Sequence, residues 1–192
     1  MQTQIQKVEL RNLKIEDSQE LRISMIQAYG EMQNSYWKEK DIEKLLDIFP
    51  KGQLVVVADD KVVGSALSLI VPERKITKKH TYEKITGNYG FSTNNPDGDI
   101  LYGIDVLIHP LHQGLRLGRH IYDSRKEFCE QLNLNAIVFT GRIPNYTEHA
   151  NKITPKEYIE KIHLKELQPF LNLPTLRSQA MVSKPKRRQI WK

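Results

Sequence analysis

Apolar residues recur along this chain with two periods, and the changes between them mark its elements. Val8 and Leu10, with Asn12, alternate against charged neighbours, which predicts a first strand over residues 7–13. Leu21, Met25, Ala28 and Met32 then recur at helical spacing over residues 18–32. Asp17 offers an N-cap for that helix, and Glu20 stands three residues on, as in a capping box. A shorter helix is predicted over residues 40–48, with Ile42, Leu45, Leu46 and then Phe49 on one face. Residues 53–58 and 61–70 are rich in valine and leucine and flank Asp59-Asp60, the pattern of a hairpin with a short polar turn.

Residues 73–98 are polar, contain Gly87, Gly90 and Pro96, and read as a long excursion with one helical turn near 80–85. Ordered loops of this length are often functional lids. Residues 99–108 form a strong strand pattern. Period two puts Ile100, Tyr102, Ile104, Val106 and Ile108 on one face, and Leu101, Asp105 and Leu107 on the other. A helix over 117–132 follows, with Leu117, Ile121, Phe128, Cys129 and Leu132 as its apolar stripe. Residues 136–140 are a buried strand, and Thr154-Pro155 opens a last helix to about Leu167 through Tyr158 and Ile162. The order β-α-α-β-β-loop-β-α-β-α predicts an α+β fold: a mixed, largely antiparallel sheet flanked by helices.

Composition changes this picture little. With 192 residues, 39% apolar and 27% charged, the chain suits one globular domain with its own core. The single cysteine, Cys129, excludes an intrachain disulfide and a multi-cysteine metal site, and no metal is expected. Its helical phase predicts a buried structural thiol. The opening MQTQIQKVEL lacks a basic and an apolar signal region, and the apolar stretches at 54–57 and 62–71 are too short to span a bilayer. A cytoplasmic location without membrane contact is the expectation. The net charge of +6 owes five positive charges to Lys184, Lys186, Arg187, Arg188 and Lys192. That run is expected to be a solvated end rather than a nucleic-acid surface.

Chemistry concentrates in His109-Pro110-Leu111-His112-Gln113-Gly114-Leu115-Arg116-Leu117-Gly118-Arg119. Here a strand leads through a glycine-containing loop into a helix. A first helical turn carries unpaired N–H groups and the positive end of the macrodipole, and glycines let an anion approach the backbone. Arg116 and Arg119 add positive charge. The ligand this favours is a phosphorylated cofactor, most plausibly a pyrophosphate. A plain strand-to-helix turn with two useful glycines remains the alternative. No Walker A sequence and no G-x-G-x-x-G are present.

The run from Ile104 to Pro110, followed by Gln113 to Arg119, resembles the acetyl-CoA motif of the GNAT superfamily of N-acetyltransferases, whose pattern is [RQ]-x-x-G-x-[GA]. Gln113 and Gly118 match its ends, and Gly114 matches the glycine often second; Arg116 stands where the middle glycine belongs. Thr81 to Gly87, Pro96 to Asp99, Tyr122 to Lys126 and Gly141 to Tyr146 resemble the N-terminal half of proteins that fuse this domain to a nitrilase-type carbon–nitrogen hydrolase; the hydrolase half is absent.

The resemblance implies a GNAT-like acyl-CoA-binding domain over 1–167, with 168–192 a diverged or disordered basic tail. It implies CoA held by Val106, Leu107 and Ile108 and by Gln113, Gly114, Leu115, Arg116, Leu117, Gly118 and Arg119. Acetyl-CoA is then the co-substrate, and a small-molecule or peptide amine the acceptor. A homodimer is compatible with it. Amine deprotonation needs a base, and Asp105 on the fourth strand is the candidate; Tyr146, after the fifth strand, is the candidate acid. His109, His112 and Tyr158 are weaker candidates for proton transfer. Domains of this family add two strands after the last helix, and residues 168–192 show no period-two pattern. The chain is therefore expected to be a truncated or diverged copy, and its alternative function is a CoA-binding module impaired in transfer.

Overall fold

The computed structural model describes residues 6–30, 36–76, 80–139 and 146–158. Five strands form one sheet in the order β1 (Val8–Asn12), β2 (Leu54–Ala58), β3 (Lys61–Val71), β4 (Ile100–Ile108), β5 (Ala136–Phe139). The first four run antiparallel to their neighbours, and β5 is parallel to β4. Helices α1 (Ser18–Tyr29) and α2 (Glu39–Ile48) cover one face, where Leu21, Met25, Ile42 and Leu45 pack on Val55, Leu67, Leu69 and Tyr102. Helix α4 (Leu117–Gln131) covers the other, crossing over from β4 to β5. Coverage on both sides explains why β3 is buried from Val62 to Val71 and reads as a continuous apolar run.

The β2–β3 hairpin turns at Asp59 and Asp60, both at positive φ (46° and 64°), the backbone of a type I′ turn. Asp59 also accepts the Lys7 N–H (2.9 Å), tying the start of β1 to the turn. The capping box read at Asp17 does not form. Asp17 faces backward, accepting the Lys14 N–H (2.8 Å) and pairing with Arg11 (2.7 Å). Glu20 reaches the Val62 N–H of β3 (2.8 Å). The helix is instead led in by a 3-10 turn at Ile15–Asp17.

The excursion after β3 is anchored along its length. Asn94 Oδ1 accepts the Ile70 N–H (2.9 Å), and Asp99 accepts the Glu73 N–H (2.7 Å). Ile85, in the one-turn helix α3 (Tyr82–Ile85), and Phe91 are buried in the core beneath α1.

One departure from the sequence reading decides the geometry of the site. Leu67 pairs with Asp105 but Ser68 pairs with Gly103, so Ile104 is an extra residue in β4, a β-bulge. The bulge turns the strand's phase. Ile100, Tyr102, Ile104 and Leu107 lie in the α1-side core, while Val106 and Ile108 pack with Leu117 and Ile121 on the α4 side. The period-two assignment of Val106 and Ile108 to the face of Ile100 is therefore corrected. Cys129 is buried as expected, and burial pushes its thiol up to about 11. The last helix is described only as α5 (Pro155–Tyr158); its continuation to 167, Met32 and the tail from 168, with the final-strand question, lie outside the described residues. No described helix is long and apolar enough to cross a membrane.

Candidate active site

The two sides of β4 carry different chemistry. On the α4 side, β4 pairs with β5 through Ile100–Gly103 and then runs on for Ile104 to Ile108, where no strand flanks that edge among the described residues. The chain leaves Ile108 through a 3-10 turn at Pro110–His112, whose first N–H groups are met by His109: its Nδ1 accepts from Leu111 (3.2 Å). His109 and His112 lie edge to face at 5.4 Å. Burial, and then His109, push the His112 imidazole below its usual value. Both histidines thus shape the loop.

Gly114 follows at φ 81° and Arg116 at φ 59°. The middle position of the loop is therefore left-handed, which gives a physical reason for glycine there in related sequences. Here Arg116 takes that conformation with its side chain exposed. It is the N-cap of α4 and supplies no side-chain cap; the first intrahelical bonds run from Arg119 and His120 to its carbonyl. The N–H groups from Gly114 to Gly118 have no hydrogen-bond acceptor among the described residues. A Cβ built on Gly114 or Gly118 would meet nothing within 4 Å. Unfilled donors, the helix dipole and open space together make an anion cradle. Arg119 lies exposed beside it, 3.8 Å from Asp123, a screened surface contact that leaves its charge available.

On the α1 side the bulge presents Asp105, half-buried. Its two oxygens accept from the Tyr29 hydroxyl at the end of α1 and from Trp37 Nε1 (3.1 Å) before α2. It is not an exposed strand residue. Aromatic rings wall the carboxylate. Trp37 packs on Phe91 (5.4 Å) and Tyr89 (6.3 Å), and Tyr89 on Tyr82 (5.9 Å). Tyr82 donates to the carbonyl of the bulge residue Ile104 (2.8 Å). Burial, and then the charges of Asp105 and the neighbouring tyrosines, hold its phenol far above the ordinary value, so it stays a donor.

Tyr146 stands elsewhere. Its hydroxyl donates to Ile153 O (2.9 Å) and its ring meets Tyr158 edge-on at 5.5 Å; no described contact joins it to Asp105. Tyr158 is buried as packing. Tyr29, Trp37 and Tyr82 were not singled out from the sequence as site residues, although Tyr29 continues the Leu21–Met25 spacing by one more turn.

A family model described as the Acetyltransferase (GNAT) family matches residues 22–151. The probable hydrolase YhcX of Bacillus subtilis (strain 168) is 35% identical over 126 residues, covering 66% of this chain and 25% of that protein. The uncharacterized N-acetyltransferase YkwB of the same organism is 27% identical over 130 residues, covering 68% of this chain and 58% of its own. This chain thus spans a quarter of the first relative and somewhat over half of the second. A match confined to a quarter of a protein named a hydrolase agrees with the resemblance to fusion proteins. Among solved structures, the loading GNATL domain of CurA from Lyngbya majuscula superposes with a TM-score of 0.68 at 22% identity, covering 81% of this chain and 75% of that one. The GphF GNAT-like decarboxylase in complex with isobutyryl-CoA gives 0.65 at 13%, covering 81% and 77%. Both are likenesses of fold.

Proposed function

Because this chain belongs to the acetyltransferase (GNAT) family, we propose that it transfers an acyl group, with acetyl-CoA as the starting expectation, to the amine of a small molecule or peptide. The observation that carries this reading is the row of unfilled N–H groups from Gly114 to Gly118, opening on space that a glycine Cβ would enter. Those amides, with Gln113 and Arg119, would hold the pyrophosphate. The β5-side edge of β4 at Val106, Leu107 and Ile108, unpaired among the described residues, would bind the amides of the pantetheine arm as a neighbouring strand would. Bound acyl-CoA supplies the activated thioester.

The chain's own residues do the rest. Asp105 attracts the ammonium form of the acceptor and takes its proton, held in place by Tyr29 and Trp37. The aromatic wall of Trp37, Tyr89 and Phe91 favours a cation beside it and keeps water away. Tyr146 remains the proposed acid for the departing thiolate, a role in which its proton would leave the Ile153 carbonyl.

Titration with acetyl-CoA under thermal unfolding tests the reading; stabilisation of a few kcal/mol is expected at concentrations far above the dissociation constant. An unchanged midpoint at saturating acetyl-CoA would sink it. A second reading is a binding module without transfer, favoured by one observation: both Asp105 oxygens already accept hydrogen bonds. Thiol release from acetyl-CoA with an amine panel separates the two.

A further inference from the structure

Helix α4 carries an arginine where its stripe should be apolar. Arg125 is 1% exposed and stands between two apolar clusters on the same sheet face. One cluster surrounds Ala66 and Ile121, the other Leu101 and Cys129. Its Nη2 donates to Ser68 Oγ (2.7 Å) and to Leu67 O (3.3 Å). Nε and Nη1 have no hydrogen-bond partner among the described residues, and no described carboxylate forms an ion pair with the head. Burial pushes this guanidinium down to about 10, yet it stays charged at neutral pH.

A buried cation with unfilled donors is unfavourable, and an apolar side chain of similar volume is often more stable in such a place. Tying β3 at its contact with the β4 bulge uses only Nη2. The remaining donors have no structural employment. Their position is informative. The head lies against Gly103, where a Cβ would come within 2.6 Å of Nη2. Gly103 is the last β4 residue paired with described β5, and beyond it no described strand flanks that edge of β4. With about 3.3 Å of rise per residue, Gly103 lies roughly 16 Å from Ile108 along the strand. A pantetheine arm held as proposed, from the start of α4 along β4, would bring its acyl end to that depth.

We propose that Arg125 selects the acyl group: its unfilled N–H groups receive a carboxylate at the far end of a carboxyacyl chain, so the preferred donor is a dicarboxylic acyl-CoA. This rests on the cofactor reading above and names its acyl class. Gly103 has no side chain because the guanidinium occupies that space.

The test is a binding series on the full chain with acetyl-, butyryl-, malonyl- and succinyl-CoA. Succinyl- and butyryl-CoA differ at the chain end by a carboxylate for a methyl group. Succinyl- or malonyl-CoA is expected to bind about tenfold or more tighter than butyryl-CoA. In Arg125→Met that ratio is expected to collapse towards one. In Gly103→Ala, which displaces the head and keeps the charge, it is expected to fall part of the way. Should Arg125→Met not fold, the unaltered chain and Gly103→Ala still decide the matter. Binding of all four thioesters without preference, or a ratio retained in both variants, overturns this inference and leaves the cofactor site standing. Binding of none overturns the cofactor site and this inference with it.

Discussion

The two sides of β4 are built on different principles. Towards α4 the candidate site is made of backbone: amides at a helix start, a strand edge, and glycines whose missing Cβ atoms leave room. Towards α1 it is made of side chains gathered from four distant segments: Tyr29, Trp37, Tyr82 and Asp105. A backbone site tolerates change in most of its residues but not a change in shape. A side-chain site tolerates changes in shape less visibly, yet loses its chemistry with a single atom.

The sharpest way to break this comparison is Gly118→Leu. A Cβ at Gly118 meets nothing within 4 Å, so the variant should fold and gain helix propensity of roughly 0.5 kcal/mol. Its stabilisation by acetyl-CoA, a few kcal/mol in the unaltered chain, should vanish in the thermal titration. A variant that still binds acetyl-CoA as well would mean the cradle has been misplaced. Asp105→Asn probes the other side. With an active amine acceptor, turnover should fall by about 10²-fold or more without a comparable loss of acetyl-CoA affinity. Equal losses in both would assign the carboxylate to packing.

Smaller effects separate the supports from the site. Trp37→Phe removes one donor to Asp105 and keeps most of the ring contacts. Denaturant unfolding should show about 1–2 kcal/mol lost, and cofactor affinity should be unaffected because the change lies on the far face. The smallest effect concerns pH. Burial and His109 lower the folded pKa of His112, so the folded state resists its protonation. Its contribution is present above pH 6.5 and is lost as pH falls through the unfolded value towards the folded one. His112→Gln should therefore lose less stability than the unaltered chain between pH 7.5 and pH 5 in paired unfolding curves. A steeper acid loss in the variant would contradict that origin.

Much of the fold was legible because its signals are local. Asp59-Asp60 marked the hairpin turn, the valine- and leucine-rich runs marked its two strands, and the spacing from Gln113 to Gly118 marked the cradle. The aromatic wall around Asp105 was not. Trp37, Tyr82 and Tyr89 sit in polar stretches with no period, and only tertiary contact gives them a shared role. Asp17 misled for a related reason. Its side chain accepts the Lys14 N–H and pairs with Arg11 of β1, and both turn it away from the helix it precedes. Arg125 was not singled out from the sequence, because periodicity assigns a face without saying what covers it.

The bulge at Ile104 acts on β4 as a frameshift acts on a message. Every side chain after it is read in the other register, so one residue decides which layer receives the carboxylate. Pairing the same residues without the bulge would send Asp105 under α4, towards Ile121, and turn Val106 to the aromatic wall. Deleting Ile104, by contrast, would restore the regular ladder with Asp105 still opposite Leu67, and each layer would keep its residues.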